Sequence, residues 1–547
     1  MSSDESTEAK LLLLEARLAM IEQADATLEE AQIARSPLSV TLERMLPILL
    51  ERLPARAVLV RTYGEDLELR EFVSGEPMGT NGEQLEAALG DRRRAVLEAD
   101  GAVRIALTID VAGQSFGVIA AKLADGSSTT DATRALSLLE CFAEVLDNYL
   151  ASISDARKKE NITRAIGAAL REPILDDGIA KALEALRREV PYDDLLLVFR
   201  HEDADGGENL HYRIVQSGKL THDSDADGDM EIDEFIREHA SAMVRGESRA
   251  LLDRFGFDRF REEVLIDGVK DERILGRLII TSHARELNTF DRDLLDRFAD
   301  LLRQRIVDWS REFHHLSLCF SQAHTNRLLR TSDYRAGYLE PRLEDVAILF
   351  SDISGFTRVS EQVLKEPALI GKLFNTWGAR VVQILWEEGG VFDKMVGDCV
   401  IGLFGPPFYE MDAQARCAAA LRAAERIRDY TRTLGAAEGL PQLEHLEPAI
   451  GVATGLNFCP LFVGFFGPNE DFTGFSSGMN NTARLQGVAH CDEILCMEEF
   501  VLTFDDAQAF GEMREAKVKN VAEPLRFRPS LRLTKEPLPP QFLPIGR

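Results

Sequence analysis

Val346-Ala347-Ile348-Leu349-Phe350-Ser351-Asp352-Ile353-Ser354-Gly355-Phe356-Thr357 is the stretch whose reading decides the fold. Five apolar residues in a row, with no polar alternate, predict a central strand buried on both faces, and the polar turn after it places Asp352 at the strand tip. Past the Gly389-Gly390 break a second apolar run, Val391 to Gly405, reads as a hairpin that bends at Gly397-Asp398. Gly397 supplies the freedom for the tight bend. Two aspartates on neighbouring strand tips, with Lys394 close by in sequence, suit hard oxygen-seeking cations and a triphosphate held by them. Solvated turn aspartates would look the same in isolation, because Asp is a common turn residue.

The order of three segments separates these readings. Phe350-Ser-Asp-Ile-Ser-Gly-Phe-Thr357, Phe392-Asp-Lys-Met-Val-Gly-Asp398 and Asp471-Phe-Thr-Gly-Phe-Ser-Ser-Gly-Met-Asn-Asn-Thr-Ala-Arg-Leu485 resemble, in sequence, the motifs of class III nucleotidyl cyclases. The resemblance covers about residues 340 to 530. It implies a ferredoxin-like α/β catalytic domain, a homodimer with shared active sites, and conversion of a nucleoside triphosphate into a 3′,5′-cyclic monophosphate and pyrophosphate. Position by position it assigns Asp352 and Asp398, with the Ile353 carbonyl, to two Mg²⁺ or Mn²⁺ ions. Lys394 and Thr473 match the base-selecting pair, and Asn480 and Arg484 match the residues that orient the ribose and stabilise phosphate charge.

Donor and acceptor logic then favours ATP. A lysine can donate to adenine N1 and the Thr473 hydroxyl can accept from the 6-amino group, whereas guanine presents the reverse pattern. The alternatives are a guanylate cyclase, or an inactive homologue that serves as a dimeric ligand-binding module. The chain departs from the family pattern at Ser476-Ser477-Gly478, where Gly-Asp-Thr is common, and at Leu456 to Phe462, which is longer than usual. Lys517 and Lys519 are both candidates for the triphosphate lysine. Threonine in the base-selecting position is, by resemblance, a mark of a subclass often sensitive to bicarbonate.

A chain of 547 residues is too long for one core. Its net charge of −29 and lack of a sustained basic stripe argue against a nucleic-acid partner. Seven cysteines without a CxxC pair suit reduced thiols in the cytoplasm. The start of the chain, Met1 to Glu8, is polar and reads as no signal peptide, and no membrane span is expected. The apolar run Ile450 to Gly467 contains Thr454, Asn457 and Pro460, so it is expected as a buried strand or hairpin.

Working outward, the organisation expected is an N-terminal helix (1–36), a first sensor domain (37–155), a second (160–310), a connector (311–343), the catalytic domain (344–535) and a tail (536–547). Leu11, Leu14, Leu18, Ile21 and Leu28 fall at a and d spacing, which reads as a parallel dimer helix or as a helix packed on the following domain. The second sensor domain is expected to open with a single helix from Ile162 to Val190. Its closing helix carries Leu295, Leu302, Trp309 and Leu316 seven apart, interrupted by Arg305 and Glu312, which reads equally as a second candidate dimer seam or as a helix packed on its own domain. The duplicated α/β/α order of the two domains resembles tandem GAF sensor domains, which implies an unknown small-molecule ligand. Together these features make an α/β (α+β) multidomain chain. Within the second copy, Asp223, Asp225, Asp227, Asp229 and Glu234 fill oxygen-ligand positions of an EF-hand loop around Gly228, which makes Ca²⁺ a candidate ligand there.

Overall fold

The computed structural model describes residues 2–64, 66, 68–99, 101–111, 113–202, 208–224, 230–257, 262–267, 274–282, 286–435, 438–518 and 523–531. The chain divides into two compact units, residues 1–165 and 166–547.

In the first unit, helices α1 (Ser2–Ile33) and α2 (Leu38–Arg52) precede strands β1 (Ala55–Tyr63) and β2 (Leu69–Gly75). Helix α3 (Gly82–Leu89), strands β3 (Arg94–Ala99), β4 (Ala102–Val111) and β5 (Gln114–Leu123), and helix α4 (Thr129–Ala169) follow. The antiparallel sheet runs β2-β1-β5-β4-β3. Alternation along β1 sends Val58 and Val60 toward one helical layer and Ala57 and Leu59 toward α3 on the other face. The candidate dimer seam of α1 splits in two. Met20, Ala24 and Leu28 are buried in this unit's own core, whereas Leu11, Leu14 and Leu18 are exposed. Sequence spacing alone shows one continuous stripe, because nothing local marks where α2 begins to cover it.

The second unit opens with a correction. A single helix from Ile162 to Val190 was expected, but α4 ends at Ala169 and α5 (Leu175–Arg187) starts afresh, so residues 162–169 belong to α4. Pro173 lies in the break, where its missing N–H and its steric demand on the preceding residue oppose a helix. Arg305 donates from Nη2 to the carbonyls of Glu172 and Pro173, at 3.2 and 2.9 Å. Those contacts satisfy backbone acceptors at the helix break and explain the arginine at an otherwise apolar heptad position.

Strands β6 (Asp194–Glu202), β7 (Glu208–Gln216) and β8 (Lys219–Asp223), helices α6 (Met230–Val244) and α7 (Ala250–Phe255), and strands β9 (Glu262–Asp267) and β10 (Ile274–Thr281) build a sheet ordered β8-β7-β6-β10-β9. As β1 lies between β2 and β5, so β6 lies between β7 and β10. Helix α8 (Thr289–Ser317) closes the module, and Leu295, Leu302, Trp309 and Leu316 are all buried in this chain. The seven-residue stripe is therefore a core face, which fits the reading of a helix packed within its own chain and not that of a dimer seam. The connector is likewise ordered, as helix α9 (Gln322–Leu329) and a π-helical turn at Arg335–Leu339.

Of the EF-hand-like residues, Asp225, Asp227 and Asp229 lie outside the described residues. Asp223 ends strand β8, 2.8 Å from the Arg213 guanidinium, and Glu234 is exposed on α6. No cluster of three or more metal-ligating side chains occurs among the described residues.

The last part carries β11 (Arg342–Ile353), α10 (Phe356–Arg358), α11 (Pro367–Glu387), β12 (Gly390–Val396), β13 (Cys399–Phe404), α12 (Ala413–Arg432), β14 (Val452–Phe466), β15 (Asp471–Phe475), α13 (Ser477–Gln486), β16 (Ile494–Met497), α14 (Glu498–Val501), β17 (Arg514–Ala516) and β18 (Leu525–Pro529). The sheet runs β12-β13-β11-β14-β16-β18-β17, with β15 paired to β14. Strand β11 is central. Its Ala347 and Leu349 join the core beneath α11 and α12, around fully buried Trp377, whose Nε1–H donates to the Thr431 hydroxyl at 2.8 Å. The run Ile450 to Gly467 forms the 15-residue strand β14, and among the described residues no helix is long and apolar enough to cross a membrane. All seven cysteines are unpaired.

Candidate active site

Antiparallel pairing of β11 with β13 sets Asp352 opposite Cys399, so the side chain at the end of β11 comes beside Asp398 in the β12–β13 turn. Gly397 turns the chain there with φ +62°, a region that a side chain would disfavour. Burial, and then the neighbouring Asp398 carboxylate, push the Asp352 carboxyl up to about 7. Gln486, at the end of α13, donates to Asp352 Oδ2 at 3.4 Å. No Lys or Arg among the described residues forms an ion pair with either aspartate. Two hard carboxylates crowded together without a cation therefore fit a divalent ion in character, and the Ile353 carbonyl follows on the same strand end.

The base-selecting candidates lie on β12 and β15. Strand β12 carries a bulge between Phe392 and Lys394, the register passing from Phe392 opposite Gly402 to Lys394 opposite Ile401. The extra residue is Asp393. The bulge turns Asp393 into the interior while Lys394 stays exposed, with its Nζ 3.7 Å from Asp393 Oδ1. Burial pushes the Asp393 carboxyl up to about 6, a rise that the Thr473 hydroxyl, buried beside this pair on β15, moderates.

Helix α13 is capped by Ser476, whose Oγ accepts from the Met479 N–H at 3.3 Å. This start puts Asn480 and Arg484 four residues apart on one helical face. Asn480 is exposed and lines an open cleft of about 560 Å³ with Phe350, Lys394, Phe475 and Met479. Arg484 is partly buried, and its Nη1 donates to Asn481 Oδ1 at 3.3 Å. One chain thus joins Lys394 and Asn480 in a single cleft, whereas Asp352 and Asp398 meet outside its lining. Lys517 is exposed just after β17, and Lys519 lies outside the described residues.

Two features of this site escaped sequence reasoning. Strict alternation along β12 would put Phe392 and Lys394 on one face and Asp393 on the other, and no local residue signals the bulge that redirects them. The Gln486 contact depends on where α13 docks.

Residues 339–523 match the family described as the adenylate and guanylate cyclase catalytic domain. An adenylate cyclase of Anabaena cylindrica is 29% identical over 176 residues, covering 30% of this chain and 32% of that protein, so the chain spans about a third of the relative's length. Among solved structures, the adenylyl cyclase CyaB from P. aeruginosa matches at 25% identity and a TM-score of 0.32, covering 36% of this chain and 98% of that one. The guanylyl cyclase Cya2 matches at 21% identity and a TM-score of 0.30, covering 35% and 93%. Residues 339–523 are a class III cyclase catalytic domain. The matched family description spans both adenylate and guanylate cyclases, so base choice rests on this chain's own residues.

The paired aspartates have a consequence for stability. An acid whose folded-state pKa is raised stabilises the fold fully at low pH, below its unfolded value near 3.8, and that contribution is lost as pH rises through about 7. Asp352→Asn is therefore expected to stabilise the fold at pH ~8 without divalent cations by about 1–3 kcal/mol after allowance for solvent screening, read as a higher thermal midpoint. The difference should shrink toward pH ~4, and saturating Mn²⁺ should stabilise the wild type but not the variant. Equal melting of the two proteins across this range would show that the carboxylates are not strained.

Proposed function

We propose that residues 339–523 form an adenylyl cyclase that converts ATP to 3′,5′-cyclic AMP and pyrophosphate. The observation that carries this reading is the cleft lined by Lys394 and Asn480, with Thr473 buried behind the lysine. Lys394 donates to adenine N1 and Thr473 accepts from the 6-amino group. Asn480 orients the ribose, so that its 3′ hydroxyl lies in line with the α-phosphorus. Arg484 bonds two oxygens of the α-phosphate at once through its planar guanidinium, which the point charge of a lysine cannot do. Asp352, Asp398 and the Ile353 carbonyl hold Mg²⁺ or Mn²⁺, which supplies acidity to the 3′ hydroxyl and positive charge to the phosphates.

A second copy of the chain completes the site. Leu343, Phe462 and Phe475 are cross-strand neighbours on β11, β14 and β15, and are exposed by 69%, 44% and 57%. This apolar row reaches the cleft at Phe475, and covering it with a partner removes it from water. The exposed Leu11, Leu14 and Leu18 of α1 offer a further contact between copies. The shared placement of β1 and β6 within their sheets supports two GAF-like sensor modules that regulate the catalytic domain, each for a small molecule still to be identified.

Purified protein assayed with Mn²⁺ and either ATP or GTP in parallel is expected to release pyrophosphate and cyclic AMP, with GTP turned over at about a tenth of that rate or less. Dominant cyclic GMP would reverse the base assignment, and no turnover of either nucleotide would favour a binding module.

A further inference from the structure

Thr473 alone cannot choose between purines, because a hydroxyl both donates and accepts, and its rotor turns to suit the base. Adenine presents an amino donor at position 6 and guanine a carbonyl acceptor. Selectivity requires something that fixes the direction of the hydroxyl hydrogen. The β12 bulge places an acceptor-only group there. The Asp393 side chain is fully buried, and both of its oxygens, like Thr473 Oγ1, lack a hydrogen-bond partner among the described residues. A buried carboxylate and a buried hydroxyl left unpaired side by side are costly, and the pair is satisfied by one bond with the hydroxyl as donor. The groups facing Asp393 are the Lys394 ammonium, the Thr473 hydroxyl, the Asp471 carboxylate on β15 and Cys319 just past α8. Cys319 is pushed up to about 11, chiefly by burial, and stays a neutral thiol. Burial raises Asp393 itself to about 6, so it is ionised near neutral pH.

We propose that Asp393 is the positioning residue that sets base choice. By accepting the Thr473 hydroxyl hydrogen it turns the oxygen lone pairs toward the purine, where they accept from the adenine 6-amino group and repel the guanine 6-oxo group. The same carboxylate holds the Lys394 ammonium beside the pocket, donor-first, against a guanine N1–H that is itself a donor. This rests on the assignment of Lys394 and Thr473 to base recognition.

The test uses the full chain and nucleotides that cannot cyclise: 3′-deoxyATP and 3′-deoxyGTP competing against a fluorescent 3′-deoxyATP analogue in Mn²⁺. Wild type is expected to prefer the adenine nucleotide by about tenfold or more, and Asp393→Asn, whose uncharged amide can donate as well as accept and so no longer fixes the hydroxyl as donor, to cut that ratio at least ~fivefold. A purely structural role would weaken both nucleotides alike and leave the ratio unmoved. Should Asp393→Asn fail to fold, the wild type supplies the same test by pH. Protonating Asp393 between pH ~8 and pH ~5.5 should lower the preference, while metal binding, common to both nucleotides, cancels in the ratio. A ratio held within about twofold by Asp393→Asn, or across that pH range, while Thr473→Val collapses it, would overturn the role of Asp393 and leave the base-recognising pair standing. If neither Thr473→Val nor Asp393→Asn moves the ratio, or wild type shows no preference, the base assignment falls and the role of Asp393 with it.

Discussion

Equal mixing of the Asp352→Ala and Arg484→Ala proteins, each lowered by about 10²–10³-fold in turnover, is expected to restore about a quarter of wild-type activity. The figure follows from statistics. Random pairing makes about half of the dimers mixed, and each mixed dimer holds one intact site and one that lacks both groups. Within a single chain Lys394 and Asn480 line one cleft, and neither the aspartates nor Arg484 line it, so the mixing experiment and not the cleft decides whether the site is shared. The exposed row Leu343, Phe462 and Phe475 supplies a surface for the partner. Recovery measured after co-refolding, or after prolonged incubation to allow exchange, would identify the site as shared. Persistent inactivity in dimers shown to be mixed would place all six groups on one chain.

Replacing Lys394 by Glu together with Thr473 by Cys is expected to lower kcat/KM for ATP by about 10²-fold or more and to raise the GTP-to-ATP ratio. The glutamate can accept from guanine N1–H and its 2-amino group, and a thiol can donate to the 6-oxo group. Adenine would meet an acceptor opposite N1 and lose its partner at the amino group, and each unpaired buried polar group costs about 1–3 kcal/mol. The loss should appear mainly in KM, because neither residue touches the reacting phosphate. An unchanged ratio would locate base selection elsewhere. A fall in kcat alone would point instead to a displaced β12, because Asp398 lies in the turn that this strand enters.

What the sequence determined by itself was local and periodic. The unbroken run Val346 to Phe350 required a strand buried on both faces, and the Gly397-Asp398 pair required a tight hairpin bend. Polar residues inside Ile450 to Gly467 argued for a buried strand, and β14 is one. These features follow from the backbone and its immediate neighbours, so they are readable without knowing the fold.

Tertiary structure decided which apolar stripes face inward and where buried charges meet. Leu295, Leu302, Trp309 and Leu316 have the spacing of a dimer seam, yet they are buried in their own chain. Periodicity records that a face is apolar and not what covers it. Arg305, a misfit in that seam, became intelligible only once the break around Pro173 placed two carbonyls in its reach. Asp393 sits in the middle of a legible motif, but its burial comes from a one-residue bulge, and a bulge reverses the faces of a strand without changing a letter of its sequence. The raised Asp352 carboxyl likewise needed the pairing of β11 with β13, because the repulsion belongs to two residues 46 positions apart in the chain and adjacent only in the folded sheet.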